Sequence, residues 1–231
     1  MKTLGLLGGM SWESTAIYYR LLNDLVRQRL GGLHSAKLLL WSFDFAEIAE
    51  LQHHGDWDGA GALLVDAARK LESAGAEGLL LCTNTMHKLA DQVQASVSIP
   101  LIHIADATAA AIKAAGMRRP ALLATRFTME QDFYKRRLVD KYGLQPIVPD
   151  QGGRDMVHRI IYDELCRGIV AEPSKAAYIA EINRLRRDEN ADSVIMGCTE
   201  ITMLIGQQDF DIPVFDTTRI HAEAAVAFAL S

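Results

Sequence analysis

Two stretches of the chain end apolar runs on side chains able to move protons. In one, Gly78-Leu79-Leu80-Leu81-Cys82-Thr83-Asn84-Thr85-Met86-His87, leucines give way to small polar groups; in the other, Gly197-Cys198-Thr199-Glu200 closes the run 192–197 with a thiol. Cys198 stands where a following helix would begin. A thiol at a helix N-terminus meets free backbone N–H groups and the positive end of the dipole, which favour thiolate over a reference pKa of about 8.5. Cys198 is therefore a candidate base or nucleophile, although a buried structural cysteine is the commoner fate of a cytosolic thiol. Thr83 occupies the corresponding end of the first stretch. Successive strand side chains face opposite ways, so if Thr83 faces a ligand then Cys82 faces packed helices, and a register shifted by one residue reverses the two. Cys166, in Asp163-Glu164-Leu165-Cys166-Arg167-Gly168, has no acid–base neighbour in sequence and reads as helix packing.

Asn84, Thr85 and Thr199 add hydroxyl and amide donors beside helix N-terminal amides, an arrangement that holds carboxylates and that plain capping explains equally well. The loop 8–15, Gly-Gly-Met-Ser-Trp-Glu-Ser-Thr, brings Met10 and Ser11 to the end of the first apolar run, where small residues let a ligand carboxylate approach the backbone. It lacks the G-x-G-x-x-G spacing of a dinucleotide site, which excludes a nicotinamide cofactor there. Thr128 takes the corresponding turn of the second half. His87 follows Thr83 by one helical turn and either orients polar groups or is an internally satisfied histidine. His53 and His54 have no carboxylate at ligand spacing, so no metal site is read.

The elements that must position these residues alternate in type. Strand-like runs at 3–9, 38–45 and 78–84 are separated by helical patterns at 13–29 and 57–74. A second round follows: strands at 120–125, 144–149 and 192–200, with helical patterns at 129–142 and 155–189. That order predicts βαβ units and parallel sheets. Gly9 precedes Thr83 by 74 residues (83 − 9) and Thr125 precedes Cys198 by 73 (198 − 125), while Pro100 and Pro213 follow those two sites by 17 and 15. The match predicts an internal duplication. The expected fold is α/β: two similar parallel-sheet lobes related by a pseudo-twofold axis, with ligand bound in the cleft between them beyond the strand ends. The chain is expected to cross between lobes around 103–118, giving one lobe from 1–105 plus 215–231 and another from 106–214.

Composition narrows the class. Hydrophobic residues are 49% and charged residues 23% of 231, values ordinary for a globular protein, and the net charge of −5 offers nucleic acid no basic face. No run nears the roughly 18 apolar residues of a membrane span, and the N-terminus lacks a signal-type apolar stretch. A cytoplasmic location is expected. Three cysteines without C-x-x-C spacing imply neither a disulfide framework nor a zinc site.

Taken together, Thr83-Asn84-Thr85-Met86-His87, Gly197-Cys198-Thr199-Glu200, the loop 8–15 and the duplicated plan resemble the aspartate/glutamate racemase family over essentially the whole chain. The resemblance implies a two-lobed enzyme, a homodimer, that racemises a small amino acid without pyridoxal phosphate or metal, with two cysteines on opposite faces of the α-carbon. Cys198-Thr199 keeps the second C-T pair of that family. The first, normally C-N-T-x-H, aligns with Thr83, so threonine holds the catalytic address and Cys82 is displaced by one residue. The resemblance makes Cys198 the base that deprotonates the L-enantiomer, with Thr83 the opposing proton donor and Met10, Ser11, Gln52, Asn84, Thr85, Thr128 and Thr199 around the substrate; an L-substrate is expected to be favoured. Acidic members often carry an arginine after the second strand, where this chain reads Phe43-Asp44-Phe45, leaving Gln52 or Arg126 to hold a distal carboxylate or the pocket to accept uncharged side chains. The competing readings are a broad-specificity racemase of uncharged amino acids, a Cys198-dependent isomerase or lyase of a small carboxylic acid, a hydrolase using the same thiol, and a non-catalytic amino-acid-binding module.

Overall fold

Residues Leu4–Gly8 form strand β1, buried along its whole length. In the computed structural model, which describes every residue from Met1 to Ser231, β1 lies between β2 (Leu38–Ser42) and β3 (Gly78–Leu81), all parallel. A single bridge from Leu79 to Leu101 extends this sheet by one position. Around it lie α1 (Trp12–Leu30), α2 (Phe45–His54), α3 (Trp57–Ser73), a 3-10 turn (Thr85–Leu89) and α4 (Ala90–Ala95). Helix α1 starts where Ser11 Oγ accepts from the Ser14 amide at 3.4 Å, carries Glu13 in its first turn and Arg27 and Arg29 in its last, and stops at Gly31. It buries Tyr18, Leu22, Leu25 and Val26 at helical spacing.

The chain continues through α5 (Ile104–Ala114), β4 (Pro120–Ala124), α6 (Arg126–Glu130), α7 (Asp132–Arg136), a π-helical segment (Arg137–Lys141), α8 (Gln151–Asp163), a 3-10 turn (Leu165–Arg167), α9 (Glu172–Glu189), β5 (Ser193–Gly197), a second five-residue 3-10 turn (Thr199–Met203), β6 (Val214–Asp216) and α10 (Thr217–Ala229). Strands β4, β5 and β6 form a second parallel sheet in that order, and Ile147 bridges to Ala121 beyond β4. Each sheet thus has four positions in the same chain order, β1 matching β4 and β3 matching β5. The expected α/β plan of two parallel sheets is present. One compact unit comprises Met1–Ile104 and His221–Ser231, the other Ala105–Ile220.

Alternation along β3 settles a packing question. Leu79 and Leu81 join Leu64, Ala67, Ala68, Leu71 and Val93 in one cluster, whereas Leu80 and Cys82 join Leu4, Leu6, Tyr18, Leu22, Ala222, Ala225 and Val226 in another. Fully burying each such leucine contributes about 2–3 kcal/mol. Cys82 is therefore core, continuing the face of Leu80.

Two helical expectations need correction. The pattern over 155–189 is not one helix, because Gly168 takes φ 71 in the left-handed region and Pro173 opens a new helix, separating α8 from α9. The pattern over 129–142 is likewise divided at Gln131, whose ψ of 152 is extended, and then widens into the π segment. There the Asp106 carboxylate grips both Arg137 (2.6 and 2.9 Å) and Lys141 (2.7 Å), four residues apart. The strand expected at 144–149 contracts to the Ile147 bridge.

Candidate active site

In the first unit the C-terminal ends of β1, β2 and β3 are laced together. Phe43 N donates to Gly8 O (3.0 Å), Gly9 N donates to Thr15 Oγ1 (2.8 Å), and Thr15 Oγ1 donates to Ser11 O (3.0 Å). Gly9 has φ 77, and a Cβ there would lie 2.4 Å from Phe43 N and O, so only glycine permits this approach. Ser14 Oγ then donates to Cys82 O at 3.1 Å, anchoring the loop that carries Met10 and Ser11 to the end of β3. Met10 is buried in the cluster that holds Met86, and the buried Gln52 donates through Nε2 to Met86 Sδ at 2.9 Å. Asn84 and Thr85 are buried at the start of their 3-10 turn, while Thr83 is half-buried. The structure therefore brings Met10, Ser11, Gln52, Thr83, Asn84 and Thr85 to one edge of one sheet.

His87 fixes that edge. The Ile104 amide donates to Nε2 (3.2 Å), which leaves the proton on Nδ1, and Nδ1 donates to Thr83 O (2.8 Å). His103 packs against His87 with the rings tilted by 58° and 4.6 Å between centroids, and His221 meets it edge-on at 5.6 Å. His221 Nε2 donates to Ile102 O (2.6 Å) and Nδ1 accepts from the Tyr18 hydroxyl (2.8 Å), so this ring is neutral. Burial lowers its pKa to about 4, against about 6.5 in an unfolded chain. Because the unfolded chain takes up the proton first, the stabilisation from neutral His221 is complete above pH 6.5 and is lost as pH falls from 6.5 towards 4, about 3 kcal/mol in all. Urea unfolding across that range should show a steeper loss of stability in the parent than in His221→Gln; identical pH slopes would contradict the assignment.

In the second unit the paired ends of β4 and β5 carry the candidates. Thr128 is buried and its Oγ1 lies 3.3 Å from Thr125 Oγ1. Beyond β5, Cys198 is half-buried and Thr199 is buried. The Cys198 thiol donates to Glu200 Oε2 at 2.9 Å, and Glu200 is itself 5% exposed. The thiol is not the resting thiolate that its position suggests. Burial pushes its pKa well above the ordinary value, and the Glu200 carboxylate and the Cys166 sulfur push it further. The helix that should lower it is only the five-residue 3-10 turn Thr199–Met203, too short to sum much dipole.

The alternative cation, Arg126, is committed elsewhere: its guanidinium pairs with Asp155 at 2.9 Å on an exposed surface. Asp44, in the turn where an arginine would stand, accepts from Ala46 N (3.0 Å) as the N-cap of α2. No group of three or more His, Cys, Asp or Glu side chains is disposed to hold a metal ion.

Comparison with known proteins decides the lineage. The family profile described as Asp/Glu/Hydantoin racemase matches residues 7–225. This chain belongs to that family. The racemase is accordingly an enzyme of the isomerase class. It is similar to a candidate Asp/Glu racemase from Yersinia pestis (55% identity, all of both chains, TM-score 0.94) and to an aspartate racemase homologue from Pyrococcus horikoshii OT3 (35% identity, all of both chains, TM-score 0.88). It is also 21% identical to the broad-specificity amino-acid racemase RacX of Bacillus subtilis, over 99% of this chain and 98% of that one. No helix of the racemase is long and apolar enough to cross a membrane.

Two participants escaped the sequence reading. Glu200 follows Cys198-Thr199 directly, but Thr199 and Glu200 lie in the 3-10 turn Thr199–Met203, so strand alternation gives no warrant for coupling its carboxylate to the thiol. Cys166 lies in the turn Leu165–Arg167 and acts on Cys198 electrostatically across a long stretch of sequence, which leaves no local signal.

Proposed function

We propose that the racemase interconverts the enantiomers of a small amino acid, of the aspartate/glutamate type, with Cys198 as the base acting on the L-enantiomer and Thr83 as the opposing proton donor. The observation that carries this reading is the equivalence of the two residues: each stands just past the matched inner strand of its sheet, β3 or β5, and ahead of a five-residue 3-10 turn. A threonine hydroxyl ionises far above neutral pH, so it cannot serve as resting base, but it can hand its proton, directly or through water, to a carbanion made elsewhere. An amino-acid α-proton is very weakly acidic. Donors from Asn84, Thr85, Thr199 and nearby amides would hold the substrate carboxylate as enolate-like charge builds, each worth on the order of 3 kcal/mol of barrier.

A second substrate reading has its own support. Asp44 caps α2 where acidic members of the family place an arginine, and the buried side chain nearby is the neutral Gln52; both suit an uncharged side chain. The test is a panel of L- and D-amino acids in deuterated water, scored by loss of the α-proton NMR signal. Exchange confined to aspartate and glutamate supports the first reading, exchange across neutral amino acids the second, and no exchange with any amino acid overturns both.

Free, half-buried thiols at Cys166 and Cys198 suit a reducing cytoplasm, and recovery of the protein from a secreted fraction would refute that location. Trp12, Tyr19 and Leu40, on α1 and the edge strand β2, are 66%, 57% and 49% exposed. Such an apolar face suits a homodimer, and sedimentation as a monomer at micromolar concentration would refute it.

A further inference from the structure

We propose that the Glu200 carboxylate is the proton acceptor that turns the Cys198 thiol into the thiolate base, the two groups working as a pair that holds one proton. The inference deepens the racemase reading and rests on it for the fate of the thiolate. Its ground is the 2.9 Å contact from Sγ to Oε2 between two side chains of the same turn. Glu200 supplies both halves of what the step requires: its carboxylate takes the proton, and its backbone N–H also reaches the sulfur, where it favours the anion.

The other ionisable groups around the sulfur do not compete. Cys166, on the turn Leu165–Arg167, is itself a thiol. Tyr162 on α8 and Tyr178 on α9 are held in the phenol form by burial, with the negative groups around them adding to the effect. Tyr178 donates its hydroxyl to Val157 O (3.2 Å), and the Glu164 carboxylate accepts from Ser174 Oγ (2.5 Å). Glu200 is the carboxylate bonded to Sγ.

The proton balance closes. The S–H bond of Cys198 breaks as an O–H bond forms on Glu200, with the pair's total charge of minus one unchanged. The thiolate then takes the α-proton, forming S–H and leaving the electron pair on the α-carbon, which receives the Thr83 hydroxyl proton from the other side. Water returns a proton to Thr83, and the thiol–carboxylic acid pair releases one to water, restoring the start.

Glu200→Gln keeps the shape and can still accept from the thiol, but it cannot keep the proton. At pH 7 its α-proton exchange should fall about 100-fold with KM within about threefold, and the rate should climb with pH as Cys198 loses its proton to solvent instead. The parent, and Glu200→Asp at lower rate, should stay level between about pH 7 and 9. Exchange by Glu200→Gln within threefold of the parent at pH 7, or depressed equally at every pH, overturns the proposal. Alkylation of Cys198 by iodoacetamide, located by peptide mass spectrometry, reads the pair without any substrate: loss of the neighbouring negative charge should move its midpoint down by about one pH unit. An unchanged midpoint overturns the pairing even if racemisation is observed. A shifted midpoint with no exchange by the parent on any amino acid sustains the pairing and removes the racemase reading instead.

Discussion

Cys198→Ala is expected to abolish exchange of the substrate α-proton with deuterated water, a fall of about 10³-fold or more, while Cys82→Ala leaves exchange within about threefold of the parent. The contrast follows from where the two sulfurs lie. Cys198 is half-buried at the end of β5 and bonded to a carboxylate. Cys82 is 0% exposed among Leu4, Tyr18, Leu22 and Ala222, where burial drives its pKa far up, so it is neither reachable nor ionisable near neutral pH. Truncating it should cost on the order of 1–2 kcal/mol of stability through lost packing, measurable by urea unfolding with activity preserved. If the Cys82 variant is the inactive one and the Cys198 variant turns over, the assignment of the base fails.

The second large effect concerns handedness. The enantiomers have equal free energies, so kcat/KM for overall conversion must be equal in the two directions whatever the mechanism. Preference has to be read from exchange. If, as proposed, Cys198 supplies the base and Thr83 the opposing hydroxyl, the L-enantiomer should lose its α-proton to deuterated water, and largely return to L, about 100-fold or more faster than the D-enantiomer exchanges, because a threonine hydroxyl cannot act as a resting base. Thr83→Cys should close that gap, raising exchange of the D-enantiomer by about 100-fold and changing that of the L-enantiomer by less than about tenfold. The His87 bond to Thr83 O engages the backbone, so it survives the exchange of side chain. Equal exchange of both enantiomers by the parent would show that a second strong base exists and that Thr83 is not the limiting partner.

Much of the architecture could be read from residue order, and the reasons are local. Apolar runs separated by helical patterns, with 74- and 73-residue spacings between equivalent strand ends, define two parallel sheets whose inner strands are β1 with β3 and β4 with β5. Outer positions were harder, since Leu101 and Ile147 make one bridge each and a single pair leaves no periodicity to read. The break between α8 and α9 was legible, because Gly168 and Pro173 are helix breakers and the apolar Ile169 and Val170 between them are exposed rather than continuing a buried face. Residues 78–82 are apolar on both faces, so alternation could not say which way Cys82 turns; only the helices that cover Leu80 decide it. The protonation of Cys198 departs from the sequence expectation for a physical reason. A five-residue turn stands where a helix dipole is expected, and burial, with the negative charge two residues later adding to it, outweighs what that turn supplies.

The seclusion of Cys82 gives the protein an internal gauge of its own integrity. Cys166 and Cys198 are half-buried free thiols, and Cys82 is wholly enclosed, so a chromogenic disulfide reagent should titrate at most two sulfhydryls in the native protein and three once the chain is opened. The third then reports, variant by variant, whether lost activity reflects altered chemistry or a collapsed first unit.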